Sequence, residues 1–132
     1  MLNSAIVIFI GAGFGALARW GLGLWLNPVF PTVPLGTLAA NAIGGLLMGL
    51  VLGVFSQYES LSPMLRLALT TGFLGGLTTF STFSAETTTL LLRAEYGWAL
   101  AAVALHVGTS ILATLAGVAL VGWFAAPTGG IA

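Results

Sequence analysis

The sequence predicts an all-α integral membrane protein with four transmembrane helices per protomer, the third broken near the bilayer midplane. Three observations carry this expectation. Of 132 residues, 58% are hydrophobic and 5% charged, with a mean hydropathy of +1.11, whereas a soluble domain carries about 25% charged residues. Four stretches are long enough to cross a hydrocarbon core of about 30 Å, which takes about 20 apolar residues. The third stretch carries Gly72-Phe73-Leu74-Gly75-Gly76-Leu77-Thr78-Thr79-Phe80-Ser81-Thr82-Phe83-Ser84 at its centre. Two adjacent glycines followed by hydroxyls and two phenylalanines do not make a plain lipid-facing helix.

The first span is expected from about Ser4 to Leu26 and contains Arg19. No basic residue precedes its apolar run, so it reads as a span of the mature protein and not as a signal peptide. Asn27-Pro28 ends it, and Pro31 and Pro34 keep the connection non-helical. The second span runs from about Leu35 to Phe55, uncharged, with Asn41 inside. Ser56–Ser60 is a polar turn. The third begins near Leu61, where Ser62-Pro63 supplies an N-cap and a first-turn proline, and reaches about Ala94. The fourth covers about Trp98 to Phe124, and Pro127-Thr128-Gly129-Gly130 reads as a frayed tail.

The third stretch is too long for one straight crossing. About 34 residues of continuous helix would extend about 51 Å. The Gly75-Gly76 pair is the expected break point, within 75–79. Half-helices meeting at membrane depth expose carbonyls and amides, and irregular backbone there is tolerated only where it is buried in protein or lines a cavity. Broken helices of this kind bind ions.

Small residues recur at helix-packing intervals: Gly11 and Gly15; Gly45, Gly49 and Gly53; Gly72 and Gly76. Such stripes let membrane helices approach closely. Gly11–Gly15 is not a phosphate loop, because it lacks the G-x-G-x-x-G spacing and any lysine after it.

The ionisable set is Arg19, Arg66, Arg93, Glu59, Glu86, Glu95 and His106, with no Lys, Asp or Cys and a formal net charge of zero. Nothing here suggests nucleic acid as a partner, and thiol chemistry is excluded. No paired carboxylates, metal-ligand cluster or activated nucleophile is evident, so the chain is not expected to be an enzyme. Arg66 falls toward the side of the termini, and Arg19 and Arg93 toward the other. The positive-inside rule gives no direction on so even a count, which leaves dual insertion and an antiparallel homodimer open. A pore also forms more readily between protomers than within four close-packed helices.

Glu86, one turn past Phe83, reads either as a pore-facing relay or as a structural carboxylate bonded to a hydroxyl or to Arg19. Arg19 either snorkels to the interface or draws anions to a pore entrance. Asn41 either donates to a permeating anion or ties two helices together, since a buried amide needs partners. His106 reads as a packing residue, and Thr109, Ser110 and Thr114 as a helix-bonding polar stripe. An aromatic ring has a negative face and a positive edge, so Phe80 and Phe83, three apart on one helix face, can offer edges to a small anion. Ser81 and Thr82 add hydroxyl donors beside them.

Gly72–Ser84 resembles the signature of the Fluc (CrcB-type) fluoride channels, a pattern close to G-F-x-G-G-x-T-T-F-S-T-F. Gly13, Gly15 and Arg19 are similar to the family's first-span pattern, and Gly36-Thr37, Asn41 and Gly44 to its second. The chain departs at Trp20, where tyrosine is common, and His106 lies where the family varies. The resemblance implies a passive fluoride channel of the bacterial inner membrane, an antiparallel dual-topology homodimer with two pores. By that likeness Phe80 and Phe83 are pore phenylalanines and Asn41 a pore-lining donor. Ser81, Thr82 and Glu86 line the route, and Ser110 and Thr114 extend a polar track. The carbonyls of Gly75 and Thr78 would hold a structural sodium ion at the dimer interface, a donor type that suits a hard cation.

Two other function classes compete with this expectation. A small dual-topology, proton-coupled multidrug exporter would use Glu86, and Glu86→Gln would abolish its binding of hydrophobic cations. A structural subunit would be silent in liposomes under every gradient.

Overall fold

The computed structural model describes residues 1–58 and 60–125; Glu59 and the Pro127–Gly130 tail lie outside them. Its element order is α1 (Leu2–Leu26), a short 3₁₀ turn (Asn27–Val29), α2 (Leu35–Gln57), α3 (Pro63–Leu67), a π-helical stretch (Ala68–Leu74), α4 (Gly75–Leu77), α5 (Phe80–Leu92) and α6 (Tyr96–Ala125). α1 with its 3₁₀ turn, α2 and α6 are each long and apolar enough to cross a membrane. The stretch from Pro63 to Leu92 forms the fourth, interrupted element. This is an all-α membrane protein.

Local sequence accounts for the boundaries. Pro28 sits in the 3₁₀ turn that closes α1, and the Asn27 side chain then works across the loop. Its Oδ1 accepts from Gly36 N at 2.8 Å and Thr37 N at 3.3 Å, meeting amides that the first turn of α2 cannot satisfy itself. Ser62 Oγ accepts from Met64 N at 3.2 Å, so Ser62-Pro63 caps α3. At the other end of the third span, Glu95 N donates to Leu90 O and Ala94 N to Leu91 O. That pair of bonds is the Schellman closure, which places the residue after the cap in the left-handed region; here it is Ala94, at φ 57°.

The glycine stripes are packing surfaces. A Cβ on Gly49 of α2 would collide with the Thr114 carbonyl of α6, and one on Gly117 would collide with Leu46 O. Between α1 and the third span, a Cβ on Gly76 would collide with Ala12 O, and one on Gly15 with Phe73 O. The helices meet backbone to backbone, as small-residue stripes permit. Ala40, Leu74 and Leu77 form the buried centre, with Phe73 and Met48 packed against it. Val33, Leu90, Ala99 and Ala102 form a second buried cluster.

The break falls within the expected 75–79, at its far end and not at the Gly75-Gly76 pair. Gly75 is helical, at φ −62° and ψ −35°, and both glycines belong to α4. The chain leaves the helix at Thr78 (φ −81°, ψ 155°) and Thr79 (φ −150°, ψ 119°). Gly76 is needed as glycine where it passes against α1, and β-branched threonines take up the extended backbone more readily. The π-helical turn just before the break was not anticipated. It widens the helix ahead of the interruption, a form common at functional sites.

Candidate ion pathway at the helix break

The break frees backbone groups of both signs. In an unbroken helix Gly75 O, Gly76 O and Thr78 O would accept from Thr79 N, Phe80 N and Thr82 N. Instead Thr79 N donates to Asn41 Oδ1 at 2.8 Å, and Thr82 N donates to Thr79 Oγ1 at 3.1 Å, which caps α5. Gly76 O accepts from Arg19 Nε at 3.1 Å. Gly75 O and Thr78 O are left without their helical donors. The α4 end therefore offers carbonyl oxygens, which suit a cation. The N-terminus of α5 offers amides and the positive end of a helix dipole, which suit an anion.

Asn41 holds this geometry. Its Nδ2 donates to Thr79 O at 3.0 Å while Oδ1 takes the amide of the same residue. Its second N–H points to His106 Nδ1, also at 3.0 Å. The amide thus ties α2, the break and α6 together.

A cavity of about 430 Å³ opens beside the break and gathers Asn41, Gly75, Thr78, Phe80, Phe83, Ser110 and Thr114. Phe83 is 7% exposed and Phe80 78%. Their rings meet edge to face at 5.5 Å, so the pair runs from the protein interior to its surface. Thr114 Oγ1 is bonded to Gly45 O and Ser110 O. Thr82 lies elsewhere, with Arg19, Thr37 and Thr79, in a cavity of about 330 Å³. Glu86 lines a third of about 280 Å³, with Thr89, Arg93 and Glu95. Ser81 lines none of the three; its Oγ lies 3.4 Å from Thr79 Oγ1. Apart from Ser81, the residues singled out by sequence therefore divide among three cavities. Thr79 borders the first two, and Thr37 Oγ1 donates to Glu86 Oε1 at 2.6 Å, linking the second to the third. Glu86 Oε2 is buried without a partner. Among the described residues no three His, Cys, Asp or Glu side chains cluster as metal ligands.

The sequence that builds this break is similar, over most of its length, to known proteins. The family described as CrcB-like protein, Camphor Resistance (CrcB), matches residues 6–118. This chain belongs to the CrcB-like family. A relative from Nitrosomonas europaea, named fluoride-specific ion channel FluC, is 52% identical over 124 residues, covering 94% of this chain and 98% of the relative. Proteins of the same name from Pseudomonas putida and Burkholderia ambifaria are 56% and 53% identical. The first alignment covers 90% of this chain and 94% of the relative, the second 96% and 99%.

Three residues of this CrcB-like chain matter more than its sequence suggested. Thr37 lies one turn before Asn41, and that i, i+4 spacing was the available signal. Thr79 precedes a helical run with a threonine three residues on, a capping position. His106 is 4% exposed, bonded to Asn41 and tilted against Phe83 with ring centres 4.7 Å apart. Nothing local marked it.

Proposed function

We propose that this chain is a passive, fluoride-selective channel that lets fluoride leave the cytoplasm and so relieves fluoride toxicity. Hydrogen fluoride enters cells as a neutral weak acid and dissociates inside, so a passive leak for the trapped anion suffices. The observation that carries this reading is the break at Thr78–Thr79. It sets the positive end of α5 and two phenylalanine rings beside one cavity, in a chain whose curated relatives are named fluoride-specific ion channels. Fixed amide donors and ring edges attract a small anion without a countercharge that would trap it.

The working unit is an antiparallel, dual-topology homodimer with two pores. The cavity beside the break opens to the surface at the exposed Phe80, where a second copy would complete a pathway. The same pairing accounts for the freed carbonyls. Gly75 O and Thr78 O are hard donors of the type sodium takes, but one chain supplies two, and a two-fold mate would double them. Bound there, sodium would supply a structural link between the copies and a fixed positive charge.

The reading is tested with purified protein in liposomes and a fluoride electrode, with chloride as control. Fluoride efflux with no proton or sodium gradient, and little chloride efflux, is the expected result. Flux that needs an imposed gradient would make the protein a carrier, and silent liposomes would make it a structural subunit.

A further inference from the structure

We propose that His106 is a positioning residue of this pathway: as the neutral, Nε2-protonated tautomer it anchors the Asn41 amide, and a proton taken up at Nδ1 releases that anchor. The proposal rests on the channel reading for its functional consequence, but its geometry stands on hydrogen-bond accounting alone.

Main-chain partners fix the Asn41 amide. Thr79 N can only donate, so the atom 2.8 Å from it is the amide oxygen. Thr79 O can only accept, so the atom 3.0 Å from it is the amide nitrogen. A flipped amide would lose both bonds. The remaining amide hydrogen faces His106 Nδ1 at 3.0 Å. Nδ1 must then be the acceptor, and the ring proton sits on Nε2. Phe83 lies against the imidazole at 4.7 Å with planes 37° apart, which restrains the ring from turning away.

A proton on Nδ1 would set one donor against another. No neighbouring charge offsets it. α2, which carries Asn41, has no ionisable side chain between Leu35 and Gln57. On α5 the one such group is Glu86, and its Oε1 is bonded to Thr37. On α6 the only other one is Tyr96, in the first turn. The protonated ring would push Asn41 from Thr79 and loosen the break.

His106 is the only histidine in the chain, so ¹⁵N-histidine labelling gives an unambiguous signal. At neutral pH the native protein in phosphatidylcholine–phosphatidylglycerol vesicles should show an unprotonated Nδ1 and a protonated Nε2. A proton on Nδ1 at neutral pH overturns the proposal whatever the flux. The functional arm compares the native protein with His106→Asn, which keeps an acceptor near the Nδ1 position, and with His106→Leu, which has none. Fluoride efflux is read across roughly pH 8 to 5, the histidine window, with the neutral-acid leak of protein-free vesicles subtracted. His106→Asn should match the native rate at neutral pH and stay flat on acidification. His106→Leu should be about tenfold slower throughout, the cost of one orphaned donor. The native rate should fall toward it in acid. A His106→Leu rate equal to native at neutral pH, or parallel pH profiles for native and His106→Asn, overturns the proposal. A native protein that passes no fluoride at any pH would sink the channel reading, while the labelling result would still decide the anchor.

Discussion

Asn41 and Thr79, thirty-eight positions apart, exchange a reciprocal pair of hydrogen bonds: Oδ1 accepts from Thr79 N at 2.8 Å and Nδ2 donates to Thr79 O at 3.0 Å. One side chain thus satisfies both backbone groups of a residue that has left the helix. In a membrane, an unsatisfied backbone group costs several kcal/mol, so an extended residue at this depth requires such a partner. The same pairing diverts the Thr79 amide from Gly75 O, and the exposed oxygens and amides of the break follow from it.

The ring of Phe80 has little to do with the fold of a single chain. It is 78% exposed and leans on Phe83 at the rim of the cavity. Phe80→Ile should therefore leave folding intact and slow fluoride efflux by about tenfold, the upper end of what an aromatic edge contributes. Fluoride-electrode efflux from liposomes reads this directly; native flux would place the ring outside the pathway.

Close helix approach should be sensitive to a single Cβ. Gly49→Val drives a side chain into the Thr114 carbonyl and should cost roughly 3 kcal/mol, the upper range for overpacking. Gly122 has nothing within 4 Å of its Cβ position, so Gly122→Ala should be neutral or slightly stabilising. Thermal unfolding in detergent separates the two; equal effects would contradict the packing described for α2 and α6.

Much of this architecture was legible in the chain. Apolar length gave four spans, and the excess length of the third required an interruption. The glycine spacings gave the packing faces. The interval of the break, 75–79, was legible, but not the residues within it that leave the helix. Gly75-Gly76 looks like the weak point because glycine is permissive, but Gly76 is needed against Ala12, and the backbone yields where Asn41 can receive it. That choice depends on a contact between residues 41 and 79, which no local pattern encodes. Arg19 was hidden for the same reason. Snorkelling or anion attraction were the local readings, yet Nε reaches a carbonyl fifty-seven positions away. For Glu86 the sequence allows a structural bond to a neighbouring hydroxyl or to Arg19, and the bond goes to the hydroxyl of Thr37.

The turn between α5 and α6 carries an avoidable strain. Ala94 occupies the left-handed position of the Schellman closure at φ 57°, which glycine adopts without penalty. Ala94→Gly should stabilise the protein by about 1 kcal/mol, measured as a higher midpoint in thermal unfolding, with fluoride efflux unchanged. A lower midpoint would contradict the assigned backbone.

The central claim is that the break, held by the Asn41 amide, is what makes a route for fluoride. The most direct measurement is fluoride efflux from liposomes carrying Asn41→Leu, a near-isosteric change that removes both bonds to Thr79, beside native protein at equal reconstituted amounts and equal helical circular dichroism. The account predicts a loss of at least about tenfold, from two buried backbone groups left without partners. Efflux at the native rate in Asn41→Leu would contradict it.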